Sequence, residues 1–110
     1  MDKLFLSLVL VFGYVNNASA KEVYFAEIVI ENHKFHPNVL ELPKDVKVKL
    51  KVINKDPTPE EFESIELKRE KVVSGNSDTI ISFGPLKPGE YKFFGEFHEE
   101  TAQGKIVVKE

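Results

Sequence analysis

The sequence predicts an all-β domain, an antiparallel sandwich or barrel of about seven short strands. Apolar and polar residues alternate along several segments, most clearly over residues 46–52, where Val, Leu and Lys take turns. Turn-forming residues separate these segments at intervals of roughly ten positions. No segment has the 3.6-residue apolar period of an amphipathic helix.

The apolar periodicity places the strands at 22–31, 39–42, 46–52, 61–70, 78–83, 90–97 and 105–109. The alternation over 46–52 predicts one buried face and one lysine-covered face in water. Those lysines would also discourage edge-to-edge pairing if this strand lies near an edge.

The first twenty residues are typical of a secretory signal peptide. Lys3 supplies a positive end, residues 4–11 are almost entirely apolar, and Ala18-Ser19-Ala20 has the small residues that signal peptidase reads. The alternatives are a membrane anchor or a buried N-terminal helix. An anchor needs about 20 apolar residues, and the apolar run stops short of that at Asn16. We therefore expect a signal peptide over 1–20, cleaved after Ala20, and one domain over 21–110.

Composition excludes several classes of function. The chain of 110 residues has no cysteine, so an exported form has no disulfides and depends on packing for its stability. Acidic residues number 18 against 15 basic ones, with no basic run that would favour nucleic acid or direct binding to an anionic membrane. No serine lies in a nucleophile-elbow motif and no glycine-rich phosphate loop occurs, so we expect no enzyme.

Several motifs together resemble the cupredoxin fold from about Val23 to the C-terminus. They are Phe35-His36-Pro37-Asn38, Asn54-Lys55-Asp56, Pro88-Gly89-Glu90-Tyr91 and Gly104-Lys105-Ile106-Val107-Val108. With Glu61-Phe62-Glu63 and Phe97-His98, the sequence is most similar to the cupredoxin-like domain of EfeO-type periplasmic iron-uptake proteins, whose small stand-alone relatives accompany bacterial Ftr-type iron permeases.

This resemblance implies a Greek-key β-sandwich in the periplasm. It also implies a metal-binding module, for iron and/or copper, that serves a bacterial iron-uptake system. The expected partner is an iron permease or another inner-membrane iron-transport component, so that membrane contact occurs only through a partner.

The resemblance also carries over the four ligand positions of a blue-copper centre. The first histidine falls on Glu61, the cysteine on Phe94, the second histidine on His98, and the methionine on Ala102 or Gln103. Only His98 keeps its ligand type. Type 1 copper requires a thiolate, so the sequence predicts that this centre is absent.

Carboxylates and histidines remain as candidate ligands. Glu61 and Glu63 are two positions apart on an extended segment, so they share a face, which Ile65 and Leu67 continue toward the core. Two like charges entering an apolar face are costly unless they are paired or metal-bound. The alternative is a strand end that reaches water, or a bulge that turns both carboxylates outward.

His98 lies where cupredoxin loops gather, Glu96 shares its parity, and His36 can approach the same end. The candidate metal ligands are therefore Glu61, Glu63, His98, Glu96 and His36. Imidazole with two or three carboxylates suits Fe(III), Fe(II), Cu(II) or Mn(II) better than Cu(I). An exposed loop histidine is the alternative for His98, and a solvated turn is the expectation for His33.

A group of phenylalanines lies where copper would sit, and we interpret it as core filling in preference to a hydrophobic ligand pocket. Its members are Phe35, Phe62, Phe93, Phe94 and Phe97.

Two other functions remain open. A metal-free sandwich could dock on a transporter or partner protein through its loops or an edge strand. A redox enzyme or ferroxidase acting alone has the least support, because the chain offers no redox-tuned ligand set.

Overall fold

The computed structural model describes residues 13–16 and 22–110. These residues form ten strands and one short 3-10 helix. The elements are β1 (Gly13–Asn16), β2 (Val23–Glu31), β3 (Lys34–His36), β4 (Val39–Leu42), β5 (Lys47–Asn54), β6 (Glu60–Ser64), β7 (Arg69–Val73), β8 (Ser77–Phe83), β9 (Gly89–Gly95), η1 (Glu96–His98) and β10 (Gln103–Val108).

Within the described residues there is no helix with the length and apolar character needed to cross a membrane. Most of the predicted signal peptide, including the cleavage site after Ala20, lies outside these residues. Only its residues 13–16 are described, as β1, whose backbone pairs antiparallel with β2.

The strands form two sheets. The first has the order β1-β2-β5-β8, with β3 also paired to β2, and the second has the order β4-β10-β9-β6-β7. The expected all-β sandwich is confirmed, but its pairing is mixed, because β2–β5 and β4–β10 are parallel. Strands that are consecutive in sequence repeatedly cross between the sheets, as in a Greek key.

The core lies between the two sheets. Val48, Leu50 and Val52 of β5 are fully buried, whereas the lysines that alternate with them are not. The alternation that predicted β5 is therefore confirmed. Phe62 and Phe93, both from the second sheet, stack in the core with ring centroids 5.0 Å apart.

The phenylalanine interpretation is right for part of its set. Phe35 packs edge-on against Phe93 at 5.0 Å and belongs to the core with Phe62. Phe94, in contrast, is only half-buried, and Phe97 in η1 is 48% exposed. Phe94 lies on the outer face of the aromatic strand, opposite Glu63. That strand ends at Gly95, so Phe97 no longer follows its pleat.

The expected single strand over 61–70 is wrong. The chain turns over residues 65–68 and returns as β7, so the segment is a hairpin. Lys68 adopts a left-handed backbone with φ of 57°, and the Ser64 hydroxyl accepts the N–H of Leu67 at 3.2 Å. This turn and the unpredicted β3 account for most of the strands beyond the expected seven.

Candidate metal centre

Strand β6 is the element on which the site is built. Because successive strand residues point to opposite faces, Glu60, Phe62 and Ser64 face inward while Glu61 and Glu63 face outward. The register agrees, since Phe62 lies opposite Gly95 of β9 and Glu63 lies opposite the outward Phe94. The expectation that Glu61 and Glu63 enter the core face is therefore wrong.

The face that Glu61 and Glu63 share does not continue to Ile65 and Leu67 either. Strand β6 ends at Ser64, and Ile65 lies in the turn, 72% exposed. A period of two holds only while the strand lasts, so a face cannot be extended across a turn.

The inward side carries a first group, the inner cluster, formed by His33, Glu60 and His98. Each offers one ligand atom, and these atoms lie within 4.8 Å of one another. Glu60 is 1% exposed, and its Oε1 is 2.5 Å from His98 Nδ1. The His98 ring stacks on the His33 ring with centroids 3.6 Å apart.

Backbone groups hold the inner cluster in place. Glu60 Oε2 accepts the N–H groups of Glu61 and Phe97, both at 3.0 Å. Asp56 accepts the N–H groups of Asn32 and His33 at 2.9 Å. Burial opposes ionisation of Asp56, but these two hydrogen bonds prevail and hold its pKa below the ordinary value.

Gly95 makes room for the Glu60 carboxylate. A Cβ at Gly95 would lie 2.7 Å from Glu60 Oε2 and 2.8 Å from the Ala102 Cβ, both too close. The resemblance placed the cysteine position at Phe94, but Phe94 faces away from Glu60. Gly95 faces Glu60 instead, and because glycine has no side chain, position 95 leaves room for the Glu60 carboxylate.

The outward side carries a second group, the outer cluster, formed by Glu61, Glu63, Glu70 and Glu96. One carboxylate oxygen from each lies within 4.8 Å of the others. The β6–β7 hairpin places Glu63 opposite Glu70, and η1 adds Glu96 at the end of β9. Like charges directly across a strand pair repel each other, so this arrangement is unfavourable while all four are ionised.

Glu61 is the buried member of the outer cluster. It is 3% exposed, and its Oε1 has no hydrogen-bond partner among the described residues. Burial is the largest cause that raises the pKa of Glu61, and with the nearby Glu96, Glu70 and Glu63 it brings that pKa to about 8.

Glu63 shares this electrostatic setting. Desolvation raises its pKa, and the charges of Glu70 and Glu96 add to the shift. Within the described part of the chain, no lysine or arginine forms an ion pair with the outer cluster. Arg69, the single arginine of the sequence, instead donates to the carbonyl oxygens of Ser82 and Lys68.

The predicted ligands are thus divided between two clusters. Glu61, Glu63 and Glu96 lie together, whereas His98 belongs to the inner cluster. His36 joins neither, since it is exposed and its Nε2 lies 3.2 Å from the Glu31 carbonyl oxygen. The single site that combined His98 with Glu61 and Glu63 does not form, because residues 60 and 61 point to opposite faces of β6.

Sequence reasoning missed Glu60, Glu70 and His33. Glu60 immediately precedes Glu61, and a one-residue change in the assumed register would have selected it. Glu70 becomes a neighbour of Glu63 only once the turn over 65–68 is recognised. His33 is half-buried against His98, not a freely solvated turn residue.

Known proteins share this fold. Residues 4–108 match the family described as the cupredoxin-like domain. The chain belongs to the cupredoxin-like domain family. An uncharacterized protein of Rickettsia prowazekii (strain Madrid E) is 44% identical to this chain over 110 residues, covering 97% of this chain and 87% of that protein.

Solved structures agree with the cupredoxin-like fold. The metal-binding domain of the Cu(I)-exporting P-type ATPase CopA of Streptococcus pneumoniae D39 has a TM-score of 0.75 at 18% identity, covering 89% of this chain and 93% of that one. Auracyanin A, a blue copper protein of Chloroflexus aurantiacus, has a TM-score of 0.68 at 16% identity, covering 79% and 99% respectively. These similarities establish the fold.

A blue-copper centre does not fit this cupredoxin-like domain. The chain has no cysteine, so no thiolate is available for type 1 copper. The inner cluster instead offers two imidazoles and one carboxylate, a set that suits Zn(II), Cu(II) or Fe(II). The outer cluster offers only carboxylate oxygens, which suit hard cations.

Proposed function

We propose that the protein is a metal-binding module whose outer cluster binds a hard cation, with iron as its physiological ion. The observation that carries this proposal is Glu61, a nearly fully buried carboxyl group whose Oε1 is unpartnered and faces three other carboxylates. A buried acid in such a place is costly unless a cation compensates it. Fe(III), Fe(II) and Mn(II) accept oxygen ligands of this kind.

The four glutamates contribute differently to cation binding. Glu61 supplies the buried ligand, while Glu70 and Glu96 are exposed and can adjust to the ion. Protons must leave before the ion binds, so affinity falls as pH decreases. Because burial and the neighbouring glutamates raise the pKa of Glu61 to about 8, this competition extends through neutral pH to about pH 8.

We place this activity in an exported, periplasmic iron-uptake system, beside an iron permease that receives or supplies the ion. The support is the resemblance to the EfeO-type domain at Glu61-Phe62-Glu63, which supplies two outer ligands, and at Phe97-His98, which directly follows Glu96. The inner cluster gives the module a second donor set, suited to Cu(II). The proposed role is binding and transfer, without catalysis.

Titration with Mn(II), followed by electron paramagnetic resonance of the free ion, tests the outer cluster directly. We expect Glu61→Gln to weaken Mn(II) binding by about tenfold or more, because it removes one charged ligand from the set. Glu41→Gln is the matched control, since Glu41 is an exposed strand glutamate on β4 at the opposite edge of the same sheet. Fe(II) under anaerobic conditions is then titrated in the same three proteins.

The outcomes separate clearly. Loss of affinity in Glu61→Gln with wild-type affinity in Glu41→Gln supports the site. Equal affinity in all three proteins, or no binding of either ion by the folded wild type, rejects it.

Docking on a partner protein is the second candidate function. It is favoured by Phe97, which projects a 48% exposed aromatic ring from η1 beside His98. A folded wild-type protein that binds neither Mn(II) nor Fe(II) would make this the better explanation of the fold.

A further inference from the structure

The carboxylate of Glu60 contacts both clusters. Its Oε1 lies 2.5 Å from His98 Nδ1 in the inner cluster. Its Oε2 accepts two backbone N–H groups at 3.0 Å, one from Glu61 and one from Phe97. Both oxygens of this buried carboxylate therefore have hydrogen-bond partners, Oε1 in the inner cluster and Oε2 in the segments of the outer cluster.

The two backbone groups belong to the segments that carry the outer ligands. Glu61 is itself an outer ligand, and Phe97 directly follows Glu96, which is another. A single oxygen thereby ties the start of β6 to η1. Of the hydrogen bonds that the Glu60 side chain makes, these two link the segment of Glu61 to the segment of Glu96.

The carboxylate of Glu60 has little freedom to adjust. Glu60 is 1% exposed, and Gly95 and Ala102 lie directly against it, leaving no room even for a methyl group at position 95. Movement of Glu60 toward an ion in the inner cluster must therefore alter its two hydrogen bonds to the outer segments.

We infer that Glu60 is a ligand of the inner cluster and the positioning residue of the outer cluster, so that cation binding at the two clusters is coupled. This inference rests on the proposed function. The coupling is negative for two reasons. An ion in the inner cluster attracts the Glu60 carboxylate and so weakens its hydrogen bonds to the N–H groups of Glu61 and Phe97. The ion also places positive charge close to the outer carboxylates and so repels a second cation there. By thermodynamic linkage, an ion in the outer cluster weakens inner binding by the same factor.

The positioning role is tested with two substitutions at Glu60, again with Mn(II) as the probe. Glu60→Ala removes both hydrogen bonds, and we expect Mn(II) affinity to fall by about tenfold to a hundredfold, as for other residues that orient metal ligands. Glu60→Gln retains an amide oxygen that can accept both N–H groups, so affinity should stay within about threefold of wild type. Wild-type affinity in Glu60→Ala, or equal losses in both variants, would overturn the positioning role.

The coupling is tested in the wild-type protein with one equivalent of Zn(II), whose binding is followed by the NMR signals of the His33 and His98 rings. We expect Zn(II) to weaken Mn(II) binding by about fivefold. His98→Ala is the control, because it removes an inner ligand but leaves Glu60 bonded to the outer segments. A Zn(II) effect that persists in His98→Ala means direct competition for the outer carboxylates and overturns the coupling.

The two levels of the proposal fail in different ways. Mn(II) binding that is unchanged by Zn(II) overturns this inference alone, and so does the absence of Zn(II) binding at the histidines. Absence of Mn(II) binding in the folded wild type overturns the proposed function and the inference together. If Glu60→Ala does not fold, as judged by circular dichroism, the Zn(II) experiment on the wild type decides the matter.

Discussion

Strands β5 and β6 both place alternate residues in the core, yet they treat their other face differently. In β5, buried Val48, Leu50 and Val52 alternate with lysines that remain partly or fully exposed. In β6, Phe62 is buried on the inner face, and Glu61 is almost equally buried on the outer one. The alternation along a strand therefore decides on which face of the sheet a side chain lies. The elements that cover that face decide whether the side chain is buried.

The neighbours of the two strands explain the contrast. Strand β5 lies between β2 and β8, and its lysine face is left partly open. Strand β6 lies between β9 and β7, and η1 follows β9 directly and brings Glu96 toward Glu61. The cover over β6 thus comes from the hairpin and from the end of the aromatic strand.

The largest expected effect tests the inner face of β6. Phe62→Ala should destabilise the protein by about 3–5 kcal/mol in urea unfolding, because it empties a fully buried aromatic site. Lys51→Ala on the outer face of β5 should change stability by less than about 0.5 kcal/mol. A loss below about 1 kcal/mol for Phe62→Ala would contradict the packing described for the second sheet.

A smaller effect is expected at Gly95, next to the buried Glu60. Gly95→Ala should cost about 1–3 kcal/mol, because the new methyl group overlaps Glu60 and Ala102. If Glu60 is the main obstacle, Glu60→Ala should relieve part of this cost, so the double variant will be less unstable than the sum of the single variants. Strict additivity in the urea measurements would show that Glu60 is not the residue displaced.

The third expected effect concerns Glu61 and its pH dependence in metal-free protein. Burial, together with the neighbouring glutamates, raises the pKa of Glu61 from an ordinary value of 4.5 to about 8 in the folded protein. The stability that Glu61 contributes is thus fully present below pH 4.5 and is lost as pH rises toward 8. Between pH 5 and pH 8 we therefore expect the Tm of the wild type to fall by more than that of Glu61→Gln.

Two controls sharpen this measurement. Glu41→Gln should follow the wild type, and Mn(II) should raise the wild-type Tm at pH 8 because the ion binds the folded state. Identical pH profiles for the wild type and Glu61→Gln would show that Glu61 is not buried as an acid.

Much of the fold follows from local pattern alone. The alternation in β5, the bounds of β4 and the core roles of Phe35, Phe62 and Phe93 were all readable, because they depend on strand period and burial. The turn over 65–68 was not readable, since no glycine or proline marks it and Lys68 takes up the left-handed backbone. That single turn separates one predicted strand into two.

The candidate site was predictable only in part, for a related reason. Glu61 and Glu63 were selected from their shared parity and the family resemblance, and the structure brings them together. Glu96 was selected for its parity with His98, but it joins Glu61 and Glu63 instead. Their separation from His98 depends on whether residue 60 or 61 begins the inward face, which is a question of register. His33 comes from a segment distant in the sequence, and Glu70 reaches Glu63 only through the unmarked turn over 65–68.

The place of β10 in the second sheet sets the order in which the molecule can be assembled. Strand β10 lies between β4 and β9, and the parallel partner of Val39 is Lys105. Strand β4 therefore gains its partner in the sheet only when the C-terminal part of the chain is present, a pairing of high sequence separation that is slow to form. A chain truncated before Gln103 would lack the strand that joins β4 to β9.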